Sequence, residues 1–224
     1  MLVLSKQTAA AALAAGLALT LSACGSNDAS VGTTGSGASS QPSPVAEIAS
    51  LSGRQTAVTL DPGLLAGLTE LELTPATVGT AELEGAEISF PITGGNLTYL
   101  DPTSGVTPYV RGEIVHEGSG LQLTGANGKV VRLEDFVVDP AGSVLNGKVT
   151  VDGDVFAPSA DLFFLDGRTL NPLEPGSEPD TAVLEGTTVS LTRTAADALN
   201  TVFETTALAE YSKVGVAEIT VDTE

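Results

Sequence analysis

The sequence predicts an all-β fold: a mainly antiparallel sandwich or barrel-like sheet with one or two short helices. Two observations predict it. Apolar and polar residues alternate with a period of two over many short runs, the pattern of half-buried strands. Turn-forming pairs fall between those runs, as short antiparallel connections require. The elements follow in order along the chain. Asp61 caps a short helix, with Pro62 at its first position and Leu64, Leu65 and Leu68 facing inward. Ile88, Phe90 and Ile92 alternate with Ser89 and Pro91, and Pro91 marks a sheet edge or a bulge. Gly94-Gly95 reads as a turn, then Leu97 and Tyr99 share one face. Asp101-Pro102 is a further turn.

Val110, Ile114 and His116 share the next strand parity. Gly118-Ser119-Gly120 reads as a turn or bulge, followed by Leu121 and Leu123 on one face. Asn127-Gly128 and Asn146-Gly147 are hairpin signals, since both central residues of a type I′ turn need positive φ. Asp139-Pro140 reads as a turn between them, and Val149 and Val151 as a strand after them. The Pro-, Gly- and Glu-rich stretch from Asn171 to Asp180 is a long loop. Val189 and Leu191 lie on a strand that feeds a second helix, capped by Thr194 with Asp197 at the capping-box position. Ala198, Leu199, Val202 and Phe203 form its apolar stripe, which packs on the sheet. Ile219 and Val221 close the chain in a last strand.

The N-terminus has a different composition. Lys6 is followed by an uncharged run from Thr8 to Leu21 rich in Ala, Leu, Gly and Thr, and then by Leu21-Ser22-Ala23-Cys24. A positive start, a short apolar stretch and a small-residue cleavage site make a secretory signal. The run is too short for a permanent span, which takes about 20 residues. Leu21-Ser22-Ala23-Cys24 resembles the lipobox of bacterial lipoproteins. The resemblance implies removal of residues 1–23 and a diacylglyceryl group on Cys24, leaving the protein lipid-anchored at the extracytoplasmic face of a bacterial membrane. Two or more acyl chains hold stably where one does not. Cys24 is the single cysteine, so no disulfide forms within the chain. Residues 24–53, rich in Gly, Ser, Thr, Ala and Pro, read as a flexible tether. Residues 54–224 read as a single β-rich domain.

Charge narrows the partners. Twenty-eight acids face nine bases, a formal net charge of −19. Phosphate backbones are held by Lys and Arg, so nucleic acid is excluded as a partner. Direct adhesion to an anionic lipid surface is disfavoured for the same reason.

No catalytic constellation is visible. Nucleophilic catalysis needs a nucleophile, a base and an orienting group. The only thiol lies in the lipobox, His116 is the only histidine, and the body has no Gly-x-Ser-x-Gly elbow. His116-Glu117 lacks the second histidine of a zinc-protease helix. Asp152 and Asp154, on an Asp-Gly-Asp turn, are a candidate calcium pair, because calcium takes carboxylates. Paired acids could hydrolyse glycosides, but an acidic chain offers such pairs everywhere, and Trp is absent. His116 is the candidate ligand residue, able to bind a metal or sense pH.

Three further segments carry a resemblance. They are Phe90-Pro91-Ile92-Thr93-Gly94-Gly95, Arg111-Gly112-Glu113-Ile114-Val115-His116, and the run from Val131 to Pro140. In this order they resemble the β-rich haem-uptake domain HtaA of actinobacterial surfaces. The body is also similar to uncharacterised actinobacterial surface lipoproteins, which imply no activity. The HtaA resemblance implies haem held by tyrosine and histidine, here Tyr99 or Tyr109 with His116. On one straight strand Tyr109 and His116 have opposite parity and face opposite sides.

Three functions follow as expectations. The first is a non-enzymatic surface lipoprotein with a β-rich binding or cell-envelope structural domain and no cofactor, meeting a protein or small molecule at the cell surface. The second is capture of haem or another hydrophobic small molecule. The third is a hydrolase using carboxylates or His116.

Overall fold

The computed structural model describes residues 42–223. The signal segment, Cys24 and the first part of the expected tether lie outside these residues. The fold class is as the alternation predicts: antiparallel strands curl into a half-barrel sheet accompanied by two short helices.

The strands are β1 (Ala46–Ile48), β2 (Gln55–Leu60), β3 (Thr74–Gly79), β4 (Glu82–Glu84), β5 (Glu87–Pro91) and β6 (Gly94–Tyr99). They continue as β7 (Val110–Thr124), β8 (Val130–Asp139), β9 (Val144–Val151), β10 (Asp154–Asp166), β11 (Glu174–Pro175), β12 (Thr181–Leu191) and β13 (Lys213–Asp222). The sheet order is β1-β6-β7-β8-β9-β10-β12-β13-β2-β5-β4, with β3 on β7 and β11 on β12. Only Ile92 and Thr93 separate β5 from β6. Because β5 pairs with β2 while β6 pairs with β7, the sheet returns to the same stretch of chain and wraps its inner face around the core. Pro91 stands at that corner, as the last residue of β5, where no further ladder donor is needed.

Helix α1 (Pro62–Glu70) starts where expected: the Asp61 carboxylate accepts from Gly63 N at 2.8 Å, with Pro62 at the first position. Helix α2 (Arg193–Phe203) starts two residues earlier than expected. Thr192, not Thr194, is the N-cap, and its hydroxyl accepts from Ala195 N at 3.1 Å while donating to Asp161 O at 2.7 Å. That second bond ties the cap to the sheet, which gives Thr192 the advantage over Thr194. Ala195, Ala196 and Leu199 bury the helix against the lower core.

Two predicted turns lie within strands. Asn146-Gly147 is inside β9, where a Cβ on Gly147 would come within 2.7 Å of Leu162 Cδ1 and 2.8 Å of Phe136 Cδ1. This glycine makes room for a core contact instead of a bend. Gly94-Gly95 opens β6, with Gly95 at φ +120° and its would-be Cβ 2.1 Å from the Glu113 carbonyl. Gly118 is a bulge at φ +75°, opposite a second bulge at Asp135, whose side chain accepts from Gly118 N at 3.0 Å. The extra residue at Asp135 lets Val131, Leu133, Phe136 and Val138 all be buried despite their mixed parity.

Part of the expected tether is ordered into the fold. Ala46–Ile48 pairs with β6, and Leu51 is buried in the core. The Gly/Ser/Pro-rich composition concealed one short alternating run. The long loop from Asn171 to Asp180 holds β11, two residues paired with β12.

Candidate functional site

Antiparallel connection places the loops at two ends. α1, α2 and the turns at 125–129 and 152–153 share one end, where Asn127 Nδ2 bonds Val202 O at 3.2 Å. The loops 100–109, 140–143 and 167–173 share the other. Beneath these loops lies a cavity of about 440 Å³. Interiors are normally packed as densely as organic crystals. A void of this size falls in the range of small-molecule sites, roughly 300–1,000 Å³.

Its walls are apolar, with Val58, Ile88, Phe90, Phe136, Leu184 and Ile219 among the side chains that face it. Phe136 meets Phe90 edge-on at 5.3 Å and Phe163 at 6.4 Å, an aromatic cluster that holds the wall. The loops supply a more polar rim, including Thr107, Tyr109, Ser143, Asp166 and Arg168. Asp166 and Arg168 pair at 2.8 Å, which holds the Asp166 carboxyl below its usual range. Arg168 is the one Lys or Arg, and Asp166 the one acid, among the described residues that line the cavity.

His116 lies well inside, 1 % exposed, on the face shared with Ile114. Its Nδ1 is 2.9 Å from the Pro91 carbonyl and its Nε2 is 3.2 Å from the Thr56 hydroxyl. A carbonyl only accepts, so Nδ1 carries the proton. Burial lowers the His116 pKa, which keeps the ring neutral near pH 7, so Nε2 has a lone pair and accepts from Thr56. Both His116 and Thr56 line the cavity.

Tyr109 also lines it, contrary to the parity expectation. It sits one residue before β7 begins, in the loop after Pro108, so strand alternation does not govern its direction. Its hydroxyl donates to Gly167 O at 3.0 Å and so links two rim loops. Burial, and then neighbouring Tyr99, raise its pKa. Tyr99 is 4 % exposed and belongs to the core behind Tyr109, their rings edge to face at 5.9 Å. The Tyr99 hydroxyl accepts from Leu173 N at 3.4 Å. The structure thus brings His116 and Tyr109 to one cavity and packs Tyr99 beside it.

Asp152 and Asp154 flank the β9–β10 turn, at the end opposite the rim loops. The Asp152 carboxylate is committed to Lys129 Nζ at 2.7 Å and Val130 N at 3.0 Å, which lowers its pKa. Among the described residues no group of three or more His, Cys, Asp or Glu is placed to hold a metal ion. Ser119 donates to the backbone carbonyl of His116, not to its ring. The hydrogen-bond partners of the ring are therefore a hydroxyl and a carbonyl, not a carboxylate.

Sequence reasoning missed Thr56 and the Asp166–Arg168 pair. Thr56 sits on the same parity as Val58 and Leu60, which marks an inward polar residue on an apolar face. Asp166 and Arg168 gave no such signal, because a strand-to-loop junction fixes them.

No protein-family model matches the sequence. No curated protein matches it at a significant level. The fold is similar to the C-terminal domain of HtaA from Corynebacterium glutamicum, with a TM-score of 0.54 and 12% identity over 77% of this chain and 98% of that one. It is also similar to a domain-swapped dimer formed by a histidine-to-alanine variant of that domain, with a TM-score of 0.47 and 13% identity over 72% of this chain and 91% of that one. At such identity the likeness to HtaA is one of fold.

Proposed function

We propose that this protein is an extracytoplasmic lipoprotein, anchored through lipid on Cys24, whose body is a non-enzymatic binding domain for an apolar small molecule. The observation that carries this reading is the apolar cavity under the rim loops. A closed, filled core would have supported a purely structural role. Burial of an apolar guest supplies about 25 cal/mol per Å² removed from water. The walls can give that energy without charged partners, in keeping with the neutral rim pair of Asp166 and Arg168.

Haem is the second reading. The specific observation in its favour is that Tyr109 and His116 line one cavity. His116 Nε2 and the Tyr109 phenol are the groups that would hold it, each giving up its present hydrogen bond, with Thr56 and with Gly167 O respectively. When bound, haem supplies an iron centre that takes such donors. The similarity of fold to HtaA supports the same reading.

The test is titration of the protein with a neutral apolar fluorophore and, separately, with haem. Saturable one-to-one fluorophore binding is expected. A saturable visible-absorption shift with haem that is lost in Tyr109→Ala or His116→Ala supports the haem reading. Fluorophore binding with a flat haem titration leaves the apolar-ligand reading alone. No saturable binding of either removes both.

A further inference from the structure

We infer that the cavity recognises its guest through a neutral hydrogen-bond donor, and that its preferred ligands are apolar alcohols or phenols over ethers and carboxylates of the same shape. The inference rests on the reading of the cavity as a ligand site. It does not depend on haem.

The argument begins at Pro91. Its carbonyl can only accept, so it fixes the proton on His116 Nδ1 across 2.9 Å. That leaves His116 Nε2 as an acceptor, and Thr56 Oγ1, at 3.2 Å, turns its only proton toward it. The hydroxyl then has lone pairs and no proton to offer. Thr56 and His116 both border the cavity. The polar spot that Thr56 and His116 form in the inner wall, away from the hydroxyls and guanidinium of the rim, thus presents acceptors alone. A chain of donors running one way, from guest to Thr56 to His116 to Pro91, completes every group in it. Hydrogen bonds aligned in this way polarise and strengthen one another at low dielectric.

The same arrangement rejects other ends. An ether brings a lone pair against the Thr56 lone pairs and leaves the acceptor unmet. A carboxylate brings charge into an apolar space. Among the described residues the single Lys or Arg along the cavity is Arg168, at the rim and already paired with Asp166 at 2.8 Å. An ammonium group meets the converse obstacle: among the described residues Asp166 is the only lining acid, and it is held by Arg168.

The experiment is displacement of N-phenyl-1-naphthylamine, a neutral apolar fluorophore, from the protein at neutral pH. The competitors are decanol, the isosteric methyl nonyl ether and decanoate. Decanol is expected to displace at a concentration about three- to tenfold lower than the ether, the worth of one net hydrogen bond. Decanoate is expected to be weaker than decanol by about tenfold or more. Equal potency of decanol and ether, or decanoate matching decanol, overturns the inference and leaves the cavity reading intact. Failure of the fluorophore and of every competitor to bind overturns the cavity reading and this inference together. In His116→Leu, Thr56 regains a free proton, and the alcohol-over-ether preference is expected to fall to about twofold or less. A preference retained in that variant, with far-UV circular dichroism unchanged, also overturns the inference. If the variant does not fold, the wild-type competitor series decides alone.

Discussion

The imidazole of His116 donates from Nδ1 to the carbonyl of Pro91 across 2.9 Å. These residues lie on different strands, 25 positions apart, at the corner where the sheet comes back to its own chain. The bond ties the corner to β7 and sets which ring nitrogen faces Thr56.

The first prediction concerns pH. Burial lowers the folded-state pKa of His116 below its ordinary 6.5. Below pH 6.5 the unfolded chain therefore binds more protons at this site than the folded one, and stability is lost as pH falls. The His116 contribution is complete above pH 6.5 and declines from there toward its lower folded pKa. Glu218 works the other way: partial desolvation, and then the nearby carboxylates of Glu185 and Glu87, raise its pKa above 4.5, so it disfavours the fold as pH rises through that range. The measurement is the difference in Tm between wild type and His116→Gln from pH 7.5 to pH 5. Wild type is expected to lose its advantage as the pH is lowered. A constant difference would show that His116 titrates alike in both states.

Tyr109→Phe removes the hydroxyl that joins the rim loops and keeps the ring. The bond to Gly167 O is one neutral hydrogen bond, worth about 0.5–1.5 kcal/mol net. A fall in Tm of roughly 2–4 °C is expected, since about 1 kcal/mol shifts a chain of this length by that much. Apolar fluorophore affinity should change little. Thermal melts and one titration check both halves.

Phe136 packs between Phe90 and Phe163 and is 2 % exposed. Phe136→Ala should cost about 3–5 kcal/mol, from lost burial and the new void. Because the side chain also lines the cavity, the variant should admit a bulkier apolar guest than wild type does. Denaturant unfolding gives the first quantity and a ligand-size series the second.

Gly147→Ala tests the correction to the hairpin reading. Its new Cβ would fall 2.7 Å from Leu162 and 2.8 Å from Phe136, so about 1–3 kcal/mol of destabilisation is expected. A turn glycine with its side-chain position in open solvent would show no such packing cost.

Thr192→Ala removes the helix cap and leaves the Ala195 N–H unpaired, at about 1 kcal/mol. Thr194→Ala should be close to neutral by the same measurement. The reverse order of effects would restore Thr194 as the cap.

Much of the fold was legible because its signals are local. Alternation at Val110, Ile114 and His116, the Asp61 cap and the hairpin at Asn127-Gly128 each depend on neighbours within a few residues, although only Gly128 takes positive φ and the loop closes between Gly125 and Lys129, so the turn is not the expected type I′. The misreadings share a non-local cause. Asn146-Gly147 has hairpin chemistry, but Leu162 and Phe136 need the space at Gly147. Gly94-Gly95 looks like a turn, but the Glu113 backbone approaches Gly95 too closely for a side chain. The site was half legible. His116 stood out as the lone histidine on an apolar face, but its partners Thr56 and Pro91 come from distant strands. Tyr109 was assigned the wrong side because strand parity was extended one residue past the start of β7. The cavity itself has no sequence signature: it is what the curled sheet leaves open between loops far apart in the chain.

The central claim is that this cavity is the binding site. Titration with N-phenyl-1-naphthylamine of wild type and of Leu145→Trp, which places a bulky ring in the cavity wall, tests it most directly. The account predicts saturable one-to-one binding by wild type and at least about tenfold weaker binding by the folded variant, as lost access to a desolvated apolar site requires. Absence of saturable binding, or equal affinity in the two proteins, would contradict it.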